Sequence, residues 1–277
     1  MNKKLENRAS RDISRAALAV TEGLFSHSVD MTLWILVYLG ELSLPSRSYG
    51  KAWRAATAAD RYLHQINYEV IKNAIITAKK HGYVQTSTHH AWPQITQEGK
   101  RRLSKVIPRY DEKRIWDGRM HMVTYDIPEK KRKDRYAFRE YLRRIGCGRL
   151  QDSVWITPYN PIDTLRLFVE EHKLQGTIIV SNLGQGGSIG EEDIHAMIIR
   201  VYELEDLNDR YKDWLDETRS MRIDQLSLVH FLSILKEDPQ LPFTLLPTWW
   251  KGDEVYLKVK HLLKSYVNSY PTGYKLT

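Results

Sequence analysis

The chain has a single cysteine in 277 residues, Cys147. One thiol excludes an intrachain disulfide framework and any zinc site built from several cysteines. Set between Gly146 and Gly148, it reads as a structural residue rather than a reactive one. Long apolar runs are missing too. The longest, Met31 to Leu39, falls far short of the roughly 20 residues that a membrane-spanning helix needs. The first residues are polar and charged with no secretory h-region, so the expectation is a cytoplasmic protein with no membrane partner. There is no G-x-S-x-G, Walker or dinucleotide motif. Ten histidines are present, but no cysteine pair or His-x-x-x-His accompanies the adjacent His89 and His90, so a zinc site is not indicated.

What is present is enough apolar material, 42% of the chain, for two or three cores of ordinary size. Lys and Arg number 42 against 34 Asp and Glu, a formal charge of +8. Clustered cations gain by displacing counterions from a polyanion, which points to nucleic acid. The competing reading is a generally soluble basic surface.

The best-punctuated stretch lies between Trp116 and Pro158. Arg119 to Ile127 favours a strand and stops at Pro128, which cannot continue a ladder. From Lys131 the period becomes helical. Ala137, Phe138, Tyr141, Leu142 and Ile145 fall on one face, and Arg132, Arg135, Arg139 and Arg143 recur on another. Gly146 and Gly148 are expected to end that helix, and Ser153 to Thr157 to form the next strand. Pro161 to Lys173 follows as an amphipathic helix and Thr177 to Val180 as a strand, with Gly148 to Ser153 a candidate for a short fourth. The glycine-rich Asn182 to Gly190 has no P-loop lysine and reads as a connector.

Upstream, Met1 to Arg15 reads as a charged arm, either a phosphate grip or a plain tail. Helices are expected over Met31 to Glu41, over Tyr49 to Leu63, and from an Asn67 N-cap to a last turn of Lys79, Lys80 and His81 before Gly82. In this third helix Val70, Ile71, Ala74, Ile75 and Ala78 share one face. Tyr68, Glu69, Lys72, Asn73, Ile76, Lys79 and Lys80 share the other. Tyr83 to Ile95 alternates like a hairpin carrying His89 and His90, and Thr96 to Lys105 is a basic helix. Three helices and a hairpin make the layout of a winged helix-turn-helix, whose last helix enters the major groove. On that layout Lys72, Lys79 and Lys80 meet phosphates, Asn73 reads an adenine edge and Ile76 touches a thymine methyl. A winged helix used for protein contacts is the alternative.

Beyond Ile194, helical periods cover Ala196 to Leu207, Arg210 to Arg219 and Leu226 to Leu235. A proline-broken segment, 238–252, precedes a last helix from Asp253 to Val267. Trp249 and Trp250 are candidates for an effector pocket or for core.

The residues WDGR (116–119), DIPE (126–129), LRR (142–144) and SVWITP (153–158), with Leu245, Leu246, Trp249 and Gly252 further on, resemble the PaaX-type transcriptional repressors. The first strand ending in Asp126, with Q-x-S-V beyond, also resembles the small nuclease subunit of CRISPR spacer acquisition. Together these resemblances imply an α+β chain: an N-terminal winged helix-turn-helix (1–107), a central ferredoxin-like α/β module (108–192) and a C-terminal all-α domain (193–277). The function implied is a non-enzymatic repressor that needs no cofactor. It would bind double-stranded DNA as a homodimer and be released by an acyl-coenzyme A effector. The nuclease resemblance leaves two alternatives open. One is a metal-dependent nuclease in which Asp126 holds Mg2+ or Mn2+, with Glu129 the only nearby acidic candidate. The other is a non-catalytic nucleic-acid-binding scaffold.

Overall fold

A computed structural model describes residues 28–41, 68–86, 93–183, 193–219 and 223–268. The helix expected over Tyr49 to Leu63, the N-terminal arm, Asn67, His89, His90 and most of the glycine-rich connector lie outside the described residues. Among the described residues the architecture is mixed α+β with two small antiparallel sheets. Chain contacts define two units: residues 1–109, 211–237 and 252–277 in one, and 110–210 with 238–251 in the other. The expected division at 107/108 lies within two residues of the first of these boundaries, while past 192/193 the second unit continues to Arg210 and takes in the proline-broken segment.

In the first unit, α1 (Ser28–Glu41) buries Leu33, Trp34, Ile35 and Leu36. It packs against α2 (Tyr68–Lys80) and α3 (Gln97–Val106). Helix α2 ends where Gly82 takes a φ of +72°. The Tyr83 amide then donates to the Ala78 carbonyl at 2.9 Å and the Gly82 amide to that of Lys79 at 3.0 Å, a Schellman closure. Two short strands, β1 (Val84–Gln85) and β2 (Gln94–Ile95), pair antiparallel and return the chain to α3. Thr96 caps α3: its hydroxyl accepts from the Gly99 amide at 3.1 Å and donates to the Gly82 carbonyl at 2.6 Å. Only glycine fits at 99, since a Cβ there would lie 2.2 Å from the Tyr83 carbonyl oxygen.

An ion pair that no periodicity in the sequence marks joins α1 to α3. Asp30 is 2% exposed, and Arg102 meets both its oxygens, through Nε to Oδ1 and through Nη2 to Oδ2 at 3.0 Å. Arg102 also lies 5.1 Å from the centre of the Tyr83 ring. Hydrogen bonding to Asp30 pushes its guanidinium further above an already high pKa. A buried carboxylate stripped of such a partner is costly. Arg102→Ala should therefore destabilise the protein by about 2–3 kcal/mol, less than for a fully buried pair because Arg102 is partly solvated. Denaturant unfolding measures this, and Asp30→Asn with Arg102→Met should restore part of the loss. No loss in the single variant would show that the pair is not structural.

The second unit holds the sheet. Its strands are β3 (Met120–Asp126), β4 (Gly148–Gln151), β5 (Val154–Thr157) and β6 (Thr177–Leu183). Helix α4 (Arg132–Arg144) links β3 to β4, and α5 (Ile162–His172) links β5 to β6. The order β4-β5-β3-β6 with antiparallel pairing is the ferredoxin-like βαββαβ arrangement, and the short fourth strand is β4. Val123, Tyr125 and Trp155 face Phe138, Leu142, Leu165 and Phe168 across the core. Tyr141 and His172 both stack against Phe168, each at 4.1 Å between ring centres.

Two local expectations change. Ala137, assigned to the apolar face of α4, is exposed, because it lies about 100° from Phe138 at helical pitch. Gly146, with φ +82°, ends α4, but Gly148 belongs to β4 and serves packing. A Cβ on it would lie 2.5 Å from Val201 Cγ1 and 2.9 Å from the Tyr202 ring. Tyr202 in turn donates to the carbonyls of Ile156 and Gly146 at 2.9 and 3.2 Å.

The later helices also fall differently. Glu203, at φ +51°, separates α6 (Ile194–Val201) from α7 (Leu204–Glu217), so the two periods expected over 196–219 divide at 203 and not near 208. Helices α8 (Gln225–Glu237) and α9 (Gly252–Asn268) follow. In the proline-broken segment Trp250 is packed away and Trp249 is 37% exposed.

Candidate nucleic-acid interface

Helix α2 sorts its residues as its periodicity requires. Ile71, Ala74 and Ala78 are buried against α1, and Ile75 is half-buried. Lys72, Asn73, Ile76, Lys79 and Lys80 are exposed. Ile76 is 50% exposed, a large apolar side chain held in water among lysines. Lys72 reaches Glu69 at 3.4 Å, a solvent-exposed pair of little weight. The Asn73 backbone carbonyl accepts from Thr77 Oγ1 at 3.2 Å, and Asn73 is exposed. Tyr68 lies in the helix without a described side chain, and His89 and His90 lie outside the described residues. Five of the eight residues proposed from sequence therefore share one described solvent face.

Asp126 closes β3 opposite Thr177 and is exposed. Gly176, at φ +141°, lets the chain pass close to its backbone, since a Cβ there would sit 2.5 Å from the Asp126 carbonyl oxygen. Glu129 opens a 3-10 turn, Glu129–Lys131, and is also exposed. Among the described residues no three His, Cys, Asp or Glu side chains group to hold a metal ion. A hard divalent cation takes six or more oxygens. One at Asp126 would need ligands from a second chain, from phosphate or from water.

Cys147 is buried and free. Desolvation pushes its thiol up to about 12, with the Thr157 hydroxyl offsetting this in part. A thiol raised in the folded state contributes stability that is complete below its unfolded pKa and is lost as pH rises through the folded one. Two results should follow: no alkylation of native protein by iodoacetamide at pH 8, and a stability difference between the parent and Cys147→Ala that narrows above pH 9. Rapid alkylation of the folded chain would contradict this burial.

The ferredoxin-like topology defines the class of the central domain, and comparison with known families makes it specific. Residues 113–193 match the family described as the PaaX protein central Cas2-like domain. The chain thus carries the central domain of the PaaX-type family, and that domain is Cas2-like. No curated protein matches it. Among solved structures, an uncharacterised protein from Mycobacterium tuberculosis is similar at 15% identity with a TM-score of 0.48, covering 73% of this chain and 83% of that one. No helix among the described residues is long and apolar enough to cross a membrane.

Proposed function

We propose that the chain is a DNA-binding transcriptional repressor of the PaaX type, without enzymatic activity. In this reading residues 1–107 form a winged helix-turn-helix: α2 enters the major groove and the β1–β2 hairpin flanks the backbone. The observation that carries it is the outer face of α2, where Lys72, Lys79 and Lys80 surround Asn73 and Ile76. Lysines suit phosphates, the amide suits an adenine edge and the isoleucine suits a thymine methyl. The PaaX-type central domain supports the same reading at family level.

One such helix reads only a few base pairs, so the repressor acts as a homodimer on an inverted repeat. The central module is the proposed interface. Its β6 is a seven-residue edge strand with Ile179 exposed, and an open edge favours pairing with a second strand. An acyl-coenzyme A-type effector that releases DNA belongs to this reading. Of the two tryptophans considered for it, Trp249 is the one open to solvent.

The test is fluorescence anisotropy on an inverted-repeat operator found by selection from random duplexes. Lys72→Ala should weaken binding to every sequence and lower the salt slope by roughly one unit. Asn73→Ala should cost about 1–3 kcal/mol at mainly one base pair of each half-site. Equal losses for both variants on every duplex would remove α2 as the reader.

Exposed Asp126 at the end of the first strand of a Cas2-like domain favours a second reading, a nuclease dependent on Mg2+ or Mn2+. The repressor reading expects no metal-dependent cleavage, and Asp126→Ala to fold and bind DNA as the parent does. Cleavage that disappears with Asp126→Ala would replace the repressor with the nuclease.

A further inference from the structure

We propose that the outer face of α4, in the central domain, is a second and sequence-independent contact for the sugar–phosphate backbone of duplex DNA. The inference rests on the DNA-binding reading above but uses none of its α2 residues.

The first observation is a concentration of charge. Residues 129–144 contain eight Lys and Arg against three Asp and Glu, a local net of +5 in a chain whose total is +8. Most of these cations are exposed, Lys130, Lys131, Arg132, Lys133, Arg143 and Arg144 among them.

The second observation is how little of this charge is answered. Elsewhere, four cations on exposed helix faces pair with a carboxylate three residues earlier: Lys72 with Glu69, Arg101 with Glu98, Arg166 with Asp163, Arg219 with Asp216. On α4, only Arg143 does so, with Glu140. Arg132, Lys133, Arg135 and Arg139 have no ion pair among the described residues.

The third observation is position. Lys130, Lys131, Arg132 and Lys133 crowd the start of α4, which has no side-chain N-cap. Cations oppose the positive end of a helix dipole. A merely solvated basic surface has no reason to collect its charge where the helix is least tolerant of it. A ligand carrying closely spaced negative charge supplies the reason, because it neutralises the cations and the helix end together.

The geometry fits a duplex backbone. Arg132, Arg139 and Arg143 recur along one side of α4, with Tyr136, 68% exposed, beside them. From Arg132 to Arg143 the helix rises about 16 Å, which spans about five nucleotide steps along one strand. Residues 129–144 contain no Asn or Gln to pair with an adenine edge, and cations laid against phosphates add affinity rather than sequence preference.

The experiment uses the full chain carrying Arg132→Gln, Lys133→Gln and Arg139→Gln together, with Arg132→Lys plus Arg139→Lys as the charge-conserving control. Binding to an unrelated duplex is measured from low to moderate salt. The triple variant should bind at least tenfold more weakly at low salt and lose two to three units of salt slope, about 0.9 for each phosphate contact removed. The control should keep the parental slope. The melting temperature of the triple variant should equal or exceed that of the parent, because cations have left the helix start, so weaker binding could not be ascribed to unfolding. An unchanged slope would overturn the proposal, as would tighter binding to structured RNA than to duplex DNA at equal salt. Lys72→Ala and Asn73→Ala, measured in parallel, separate the two claims. Loss only in the α4 variant leaves this inference standing and the α2 assignment fallen, and loss only in the α2 variants does the reverse.

Discussion

A carboxylate taken out of water must be answered by a charge, and Asp30 is answered by Arg102. That pair ties the first described helix to the third across 72 residues of sequence. The Thr96 cap, the Gly99 approach and the Schellman closure at Gly82 all converge on Tyr83 and its neighbours. The lysine-rich side of α2 is then the side left over. Its exposure results from burying Ile71, Ala74 and Ala78 against α1, and owes nothing to the lysines themselves.

The same residue type thus has two fates in this chain. Arg102 is consumed by folding. A second arginine, Arg114, is buried, held by the carbonyls of Asp111 and Leu241 and flanked by the Tyr110 and Phe243 rings at 4.6 and 4.7 Å. Arg132, Arg135 and Arg139 of α4 have no ion pair or ring contact among the described residues, whereas Arg143 pairs with Glu140 and Arg144 lies over the Tyr141 ring. Net charge alone does not separate these groups. A cation that folding has already neutralised contributes little to the field that an approaching polyanion meets, whereas an unanswered one contributes fully.

This difference marks what could be read from sequence. Periodicity was sufficient for the two faces of α2 and for the strand–helix–strand start of the central domain, because both depend on neighbours three or four residues apart or on alternation. It also placed Phe138 and Leu142 correctly inside. It misplaced Ala137, whose small side chain is compatible with either environment and carries little pattern information. It took Gly148 for a helix stop, since the close approach of Val201 and Tyr202 comes from a segment some fifty residues away. Asp30–Arg102 and the Arg114 clamp were illegible for the same reason. An isolated charged residue in a helical pattern reads as solvated until its partner is known. Of the candidate interface, the described face of α2 was legible, while the contrast between paired and unpaired cations appeared only with the ion pairs themselves.

Asp126 brings these points together. It ends β3 only a few residues before Lys130, Lys131, Arg132 and Lys133, whose charge works against a bare divalent cation at that carboxylate. Phosphate lying along α4 would reverse the local field, so any metal affinity at Asp126 would be conditional on nucleic acid. Coupling of that kind is reciprocal: the factor by which DNA tightens metal binding is the factor by which metal tightens DNA binding. A bare metal titration is therefore a weak probe of this domain, since a silent result without DNA is compatible with either function. The informative quantity is the change in DNA affinity on adding Mg2+ or Mn2+, compared between the parent and Asp126→Ala. A change confined to the parent requires the carboxylate to hold the metal beside phosphate, and equal affinities in both leave Asp126 as the end of a strand.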